Sequence, residues 1–222
     1  MNKTTTGFFI HKAKHSTKAV LCSFFTEDFG KMDLTFFHAK KHREFIPFAL
    51  YELEFTTQPT YNTGTLKRAA LINPQQHHDF NPLISAISFF VCDVVFQSTI
   101  HKHKDVPAFL ALHNFSIKLN PKAPFYQLPC VFLIDWMKCL GIIPEAVDNA
   151  TEFNIAEGTM VSNPRIDSPI GVTTLNLLLQ NKTVQGRQGI KEAFDLILAY
   201  LTYHIPNFNV NKTRTIIHEI FV

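Results

Sequence analysis

A chain of 222 residues with 46% hydrophobic side chains has enough apolar surface to bury one large core or two small ones. No apolar run reaches the ~20 residues that span a bilayer, since even 84–95 is interrupted by Ser85, Ser88 and Asp93, and no charged leader precedes an apolar signal core, so a soluble protein with no membrane partner is expected. Four cysteines at 22, 92, 130 and 139 lack close paired spacing, which argues against a secreted disulfide framework and for a reducing cytoplasm; the net charge of +3 is unevenly shared, with 10 Lys+Arg against 6 Asp+Glu up to Ile72 and 11 against 12 beyond it.

Residues 5–72 carry Phe, Val, Leu and Thr in short runs separated by polar breaks, the pattern of several strands in one small antiparallel sheet. Five strands are predicted, at 5–12, 18–26, 31–39, 45–56 and 60–71. Phe25-Thr26-Glu27-Asp28-Phe29-Gly30-Lys31 marks a tight turn between the second and third. In the fourth, Tyr51, Leu53 and Phe55 alternate with Glu52 and Glu54, so one face is buried and the other wet. Five strands with no helix between them call for closure, because an open sheet leaves pairing edges exposed, and a five-stranded OB-type barrel is one common solution.

After Asn73-Pro74 the composition changes to longer apolar runs with helical spacing, which places a barrel domain at 1–74 and an all-helical domain at 75–222. The fold class is therefore mixed α+β. Helices are predicted at 82–99, 106–119, 125–140, 172–181, 190–204 and 212–221. Asn81-Pro82 suits an N-cap followed by Pro at the first helical position, and Gly141 is a stop signal. Leu133, Trp136, Met137 and Leu140 form one core stripe, and Phe194, Ile197, Leu198 and Leu201 another. The polar stretch 145–168 has no clean period and reads as irregular.

The chemistry points to binding rather than catalysis. Lys12, Lys14, Lys18, Lys31, Lys40, Lys41 and Arg43, with His11, His15, His38 and His42 beside them, fall at strand ends and turns. Cations projecting from a barrel rim neutralise phosphates and release counterions with little sequence readout. The bland reading is a solvated surface that protects sheet edges. Aromatic doublets recur at Phe8-Phe9, Phe24-Phe25 and Phe36-Phe37, and adjacent strand residues point to opposite faces, so one ring of each pair leaves the barrel interior. Such rings either stack on bases or are covered by the helices; cover is the preferred reading for most, with Phe37, next to the 38–43 cluster, the stacking candidate. His77-His78 and His101-Lys102-His103 are close in sequence but no Cys-x-x-Cys pair accompanies them, so no metal or other cofactor is expected. No phosphate-cradling glycine loop, nucleophile elbow or His-Glu-x-x-His helix occurs, and Asp135 and His204 stand isolated. Gly186-Arg187-Gln188-Gly189 reads as the start of a helix, with a phosphate-touching turn the other option.

Over essentially its full length the chain resembles the RecO family of bacterial recombination mediators, which act in DNA repair. The pieces that carry the resemblance are Gly7-Phe8-Phe9-Ile10-His11-Lys12, the Phe25–Lys31 turn, Phe45-Ile46-Pro47-Phe48, Leu140-Gly141-Ile142-Ile143-Pro144, and the closing segments 200–206 and 212–221. The resemblance implies an OB-fold DNA-binding domain, a helical C-terminal domain, binding of single- and double-stranded DNA, strand annealing and no catalytic site. It also implies RecR and the acidic tail of single-strand-binding protein as partners, RecA as an indirect one, and a nucleoid-associated cytoplasmic protein. This chain departs from the family pattern in three places. The basic loop 38–43 runs almost directly into the fourth strand, where the family usually has a longer one. Residues 145–168 contain no cysteine, so the four-cysteine zinc site of some members should be missing. Gln127, Cys130 and Val131 occupy the neighbourhood where some members carry the arginine that could meet the acidic tail.

Overall fold

The structure, a computed structural model, describes residues 2–37, 45–57, 63–72, 81–99, 103–120 and 125–221. Strand β1 (Asn2–Lys14) serves two neighbours in turn. Its first part pairs antiparallel with β4 (Leu50–Thr57), from Asn2↔Thr56 to Phe8↔Leu50, and its second with β2 (Ala19–Thr26), from Gly7↔Thr26 to Lys14↔Val20. β2 pairs along its length with β3 (Gly30–Phe37), and β4 with β5 (Thr63–Leu71). Three parallel pairs, Asp33↔Thr63, Leu34↔Gly64 and Thr35↔Thr65, then close a barrel in the order β1-β2-β3-β5-β4, an arrangement compatible with the expected OB type.

The barrel lining is apolar and ring-rich: Phe9, Cys22, Phe24, Met32, Leu34, Tyr51, Leu53, Phe55 and Leu66 form one buried cluster. Tyr51, Leu53 and Phe55 face inward while Glu52 and Glu54 are exposed, the predicted alternation. A β-bulge between Phe9 and His11 changes the parity of β1. Phe9 lies opposite Phe24 before it; after it, Lys12 lies opposite Cys22 and Lys14 opposite Val20. The fourth strand begins at Leu50 rather than at 45, because Phe48 adopts φ +60 and the preceding segment turns in, carrying the Phe45 ring onto the barrel end.

Among the described residues six helices follow: α1 (Pro82–Ser98), α2 (Val106–Lys118), α3 (Leu128–Leu140), α4 (Ile170–Leu179), α5 (Arg187–His204) and α6 (Asn211–His218). The Asn81 side chain accepts from the Leu83 and Ile84 amides at 2.9 and 3.2 Å, and Gly141 ends α3 with φ +69, as the sequence signals require. Within 145–168, expected to be irregular, β6 (Glu152–Asn154) and β7 (Thr159–Val161) make a short hairpin, its turn set by the Asn154 carboxamide accepting from the Ala156 and Glu157 amides. Leu133, Trp136 and Met137 are buried on α3, and Phe194, Ile197, Leu198 and Leu201 on α5. Asp195 of α5 holds α6 by accepting from Arg214 Nε and Nη2 at 3.2 and 2.7 Å and from His218 Nε2 at 2.9 Å.

The chain divides into two compact units, Met1–Ser116 and Ile117–Val222. The last barrel strand ends at Leu71 and α1 begins at Pro82, yet α1 and most of α2 group with the barrel. Their rings and carbonyls explain why: Phe109 of α2 packs 5.6 Å from Phe8, and the C-terminal end of α1 receives the Lys31 ammonium.

Gly30 is where the Phe25–Lys31 turn is most constrained. Its φ is +64, and a Cβ built there would stand 1.9 Å from the His103 carbonyl oxygen. Gly30→Ala is expected to destabilise the protein by more than about 2 kcal/mol, from left-handed strain plus displacement of the 103 segment, read as a drop in urea midpoint at unchanged slope. A variant as stable as the parent would mean that the turn relaxes freely.

Candidate nucleic-acid interface

No acidic residue occurs between Lys3 and Thr26, so the end of the β1–β2 ribbon bears cations and no carboxylate of its own. Lys12 and Lys14 are exposed at the end of β1, and Lys18 is exposed in the connecting loop. That loop is short and bonded: the His15 and Ser16 amides donate to the Ala19 carbonyl at 3.2 and 3.0 Å, and the Lys18 amide donates to Ser16 Oγ at 3.2 Å. The three ammonium groups are therefore presented from a braced backbone rather than from a long loose segment. His38, Lys40, Lys41 and Arg43 lie outside the described residues.

Lys31 belongs to a different environment. It is 5% exposed, and its Nζ donates to the Phe96 and Thr99 carbonyls at 2.5 and 3.2 Å while lying 4.1 Å from the centre of the Phe96 ring. An ammonium on the orphan carbonyls of a helix C-terminus is favoured by both hydrogen bonding and the helix dipole. Burial pushes its pKa down, with the Asp33 carboxylate acting against that shift. Lys31 is therefore a structural cation, and this corrects its expected place on the rim: as an outward-facing residue of β3 it points at α1. His11 stacks on the same Phe96 ring at 4.2 Å; burial lowers its pKa, opposed by Asp33 and Asp93.

The aromatic doublets sort as alternation requires. Phe9, Phe24 and Phe36 pack in or against the barrel core. Of their outward partners, Phe8 is 1% exposed, stacked on Phe48 at 5.0 Å, Phe25 is 2% exposed, and Phe37 is 48% exposed. Cover by other segments is thus the fate of the first two, and Phe37 stays half-exposed. The ladder does not bring Phe37 to the lysines: it is opposite Ala19, whereas Lys14 is opposite Val20, which is opposite Phe36. Phe36 and Phe45 are both half-buried at that end of the barrel; the place of Phe45 depends on the inward turn at 45–49, which no residue pattern announces.

Elsewhere the other sequence candidates have structural employment. Cys92 and Cys130 are fully buried, which pushes their thiols up, and Cys22 is raised to about 11 by burial, with the charge of Lys12 pulling it down. Asp135 pairs with Lys138 at 3.0 Å and Lys118 at 3.4 Å, and His204 Nε2 meets the Ile155 carbonyl at 2.9 Å. Gly186 has φ +88 ahead of α5, and Gly189 abuts Thr174, where an added Cβ would stand 2.4 Å from Oγ1, so this glycine pair serves helix entry and close α4–α5 packing. At the start of α3, Gln127 Nε2 donates to the Val184 carbonyl at 3.1 Å and Cys130 is buried. Among the described residues, no group of three His, Cys, Asp or Glu could hold a metal ion, and no helix is long and apolar enough to cross a membrane.

No protein-family model matches the chain. Over its whole length it is similar to curated proteins described as DNA repair protein RecO. Those from two strains of Bacteroides fragilis are each 23% identical to it over 246 aligned residues, and that from Phocaeicola vulgatus 20% over 240, the alignments covering all of both chains.

Lys31→Met separates the structural cation from the surface ones. It is expected to cost about 1–3 kcal/mol in urea unfolding, by leaving the Phe96 and Thr99 carbonyls without a donor, while oligonucleotide affinity of the folded variant stays within about twofold of the parent. Because burial lowers the folded-state pKa below 10.5, the unfolded chain binds the extra proton there, and the parent gains stability over the variant as pH rises toward that value. A folded variant that no longer bound the oligonucleotide would return Lys31 to the interface.

Proposed function

We propose that this protein is a RecO-like mediator of DNA repair and recombination, without catalytic activity, that binds and anneals single-stranded DNA. With RecR it would help load RecA onto strands coated by single-strand-binding protein in the cytoplasm. The observation that carries the reading is the end-to-end similarity to the RecO proteins of two species, accompanied by a barrel of OB-compatible strand order whose exposed ribbon end is purely cationic. The similarity speaks for the repair role; the steps of annealing and loading, and the partners RecR, RecA and the acidic tail, are this proposal's own extension of it.

The mechanism is electrostatic. Two strands brought together repel through their phosphates, and lysines at the ribbon end, with the basic residues Lys40, Lys41 and Arg43, would offset that repulsion while releasing condensed counterions. No bond is made or broken, so no nucleophile, cofactor or metal is called for. The second reading is an adaptor that engages RNA or protein only, and it predicts an interaction insensitive to salt or independent of DNA.

Fluorescence anisotropy of a labelled single-stranded oligonucleotide decides between them. The parent should bind with strong salt dependence, and the Lys40→Ala, Lys41→Ala, Arg43→Ala triple variant should show a slope shallower by about 2, at ~0.7 per lost phosphate contact on a single strand. No DNA binding by the parent, or preference for the matching RNA, would favour the adaptor.

A further inference from the structure

The register of the barrel and the ring pair at its end specify a contact more closely than charge does, given the DNA-binding reading above. The bulge at Ile10 puts Lys12 in one row with Cys22 and Leu34, and Lys14 in the next with Val20 and Phe36. Directly opposed residues of a ladder share a face, so both lysines stand on the barrel-lining side of the ribbon. The Lys12 charge felt at the buried Cys22 thiol agrees with that placement. Had β1 alternated without interruption from the inward-facing Phe9, Lys12 and Lys14 would point the other way.

That side ends in rings. Phe45 lies 5.8 Å from Phe36, 5.0 Å from Phe9 and 5.3 Å from Tyr51, which closes the barrel mouth with a ring pair whose members are each half-buried. Lys14 and Phe36 are two strand spacings apart, about 10 Å, a separation that a flexible lysine side chain shortens toward the ring. Exposed ammonium groups beside part-exposed aromatic rings are the elements of a single-strand site, where the backbone is held by charge and the bases by stacking. Toward its tip the reverse face of the same ribbon carries Ala13, Leu21, Thr35, Ala19 and Phe37; the lysine on that face, Lys31, is buried against the end of α1.

We propose that a single strand of DNA lies across the barrel mouth, its phosphates on Lys12 and Lys14 and a base against the Phe36–Phe45 ring pair, and that Phe37 on the reverse face takes no part. Lys18, in the loop that joins β1 to β2, extends the phosphate track at the ribbon tip.

Photo-cross-linking of the whole chain to an oligonucleotide carrying iododeoxyuridine, with the adduct located by tandem mass spectrometry, tests this without substituting a packed ring. An adduct on Phe36 or Phe45 is expected; one on Phe37, or on any of the six helices, overturns the assignment. In parallel, Lys12→Gln with Lys14→Gln should weaken binding about tenfold at low salt and flatten the salt slope by about 1.4. Phe37→Ala should leave affinity within about twofold, whereas engagement of that ring in stacking would cost roughly fivefold or more. An unchanged affinity of the double lysine variant, with the oligonucleotide still bound, overturns the proposal while sparing the DNA-binding reading; failure of the parent to bind any oligonucleotide removes both.

Discussion

β1 has two partners on opposite edges, and the remaining architecture of the barrel depends on how it divides itself between them. Only a strand long enough to pair with β4 over Asn2–Phe8 and with β2 over Gly7–Lys14 can bring the two ends of a five-stranded sheet together. The final closure, between β3 and β5, then needs just three parallel pairs. Because β4 releases β1 at Phe8, the ribbon beyond that point extends past the β1–β4 ladder, and the exposed lysines are on that extension. Charge, in other words, is placed where the ladder has run out of partners.

Much of this was legible in the residues. Alternation at Tyr51, Leu53 and Phe55, the Asn81-Pro82 cap and the Gly141 stop each rest on local chemistry, and each lies where that chemistry puts it. The doublets were legible as well, since a strand cannot bury adjacent side chains on one face. What stayed hidden depends on contacts between distant segments. Lys31 reads as a surface cation until α1 is seen to end over it. Phe45 reads as strand until Phe48 takes a left-handed turn. The parity of Lys12 and Lys14 depends on one extra residue in β1, and Ile10 has no composition that marks a bulge. The short hairpin β6–β7 escaped for another reason: with three residues a side it is too brief for a period to register.

Lys31 also shows how a cation can serve packing rather than solubility. Its ammonium gives two carbonyls at the end of α1 the donors that an apolar side chain would deny them, and it does so against the ring of Phe96, which His11 stacks on as well. The cost of desolvating the charge is offset in part by donors matched to acceptors. Asp195 performs the complementary task in the second unit, where one carboxylate oxygen gathers Arg214 and His218 and fixes α6 to α5.

The protruding ribbon has one more consequence, which concerns the time before the fold exists. The pairs that close the barrel and seal α1 join residues far apart in sequence, Lys31 reaching Phe96 across 65 positions, and contacts of that range form slowly. During synthesis β1, β2 and β3 emerge before β4 and β5 and wait as an open sheet with unpaired edges and apolar rings. Three lysines with no acidic neighbour at the end of that sheet make edge-to-edge association with a second nascent chain repulsive. The same charges thus act as gatekeepers against aggregation in the nascent chain, whatever they hold in the finished one.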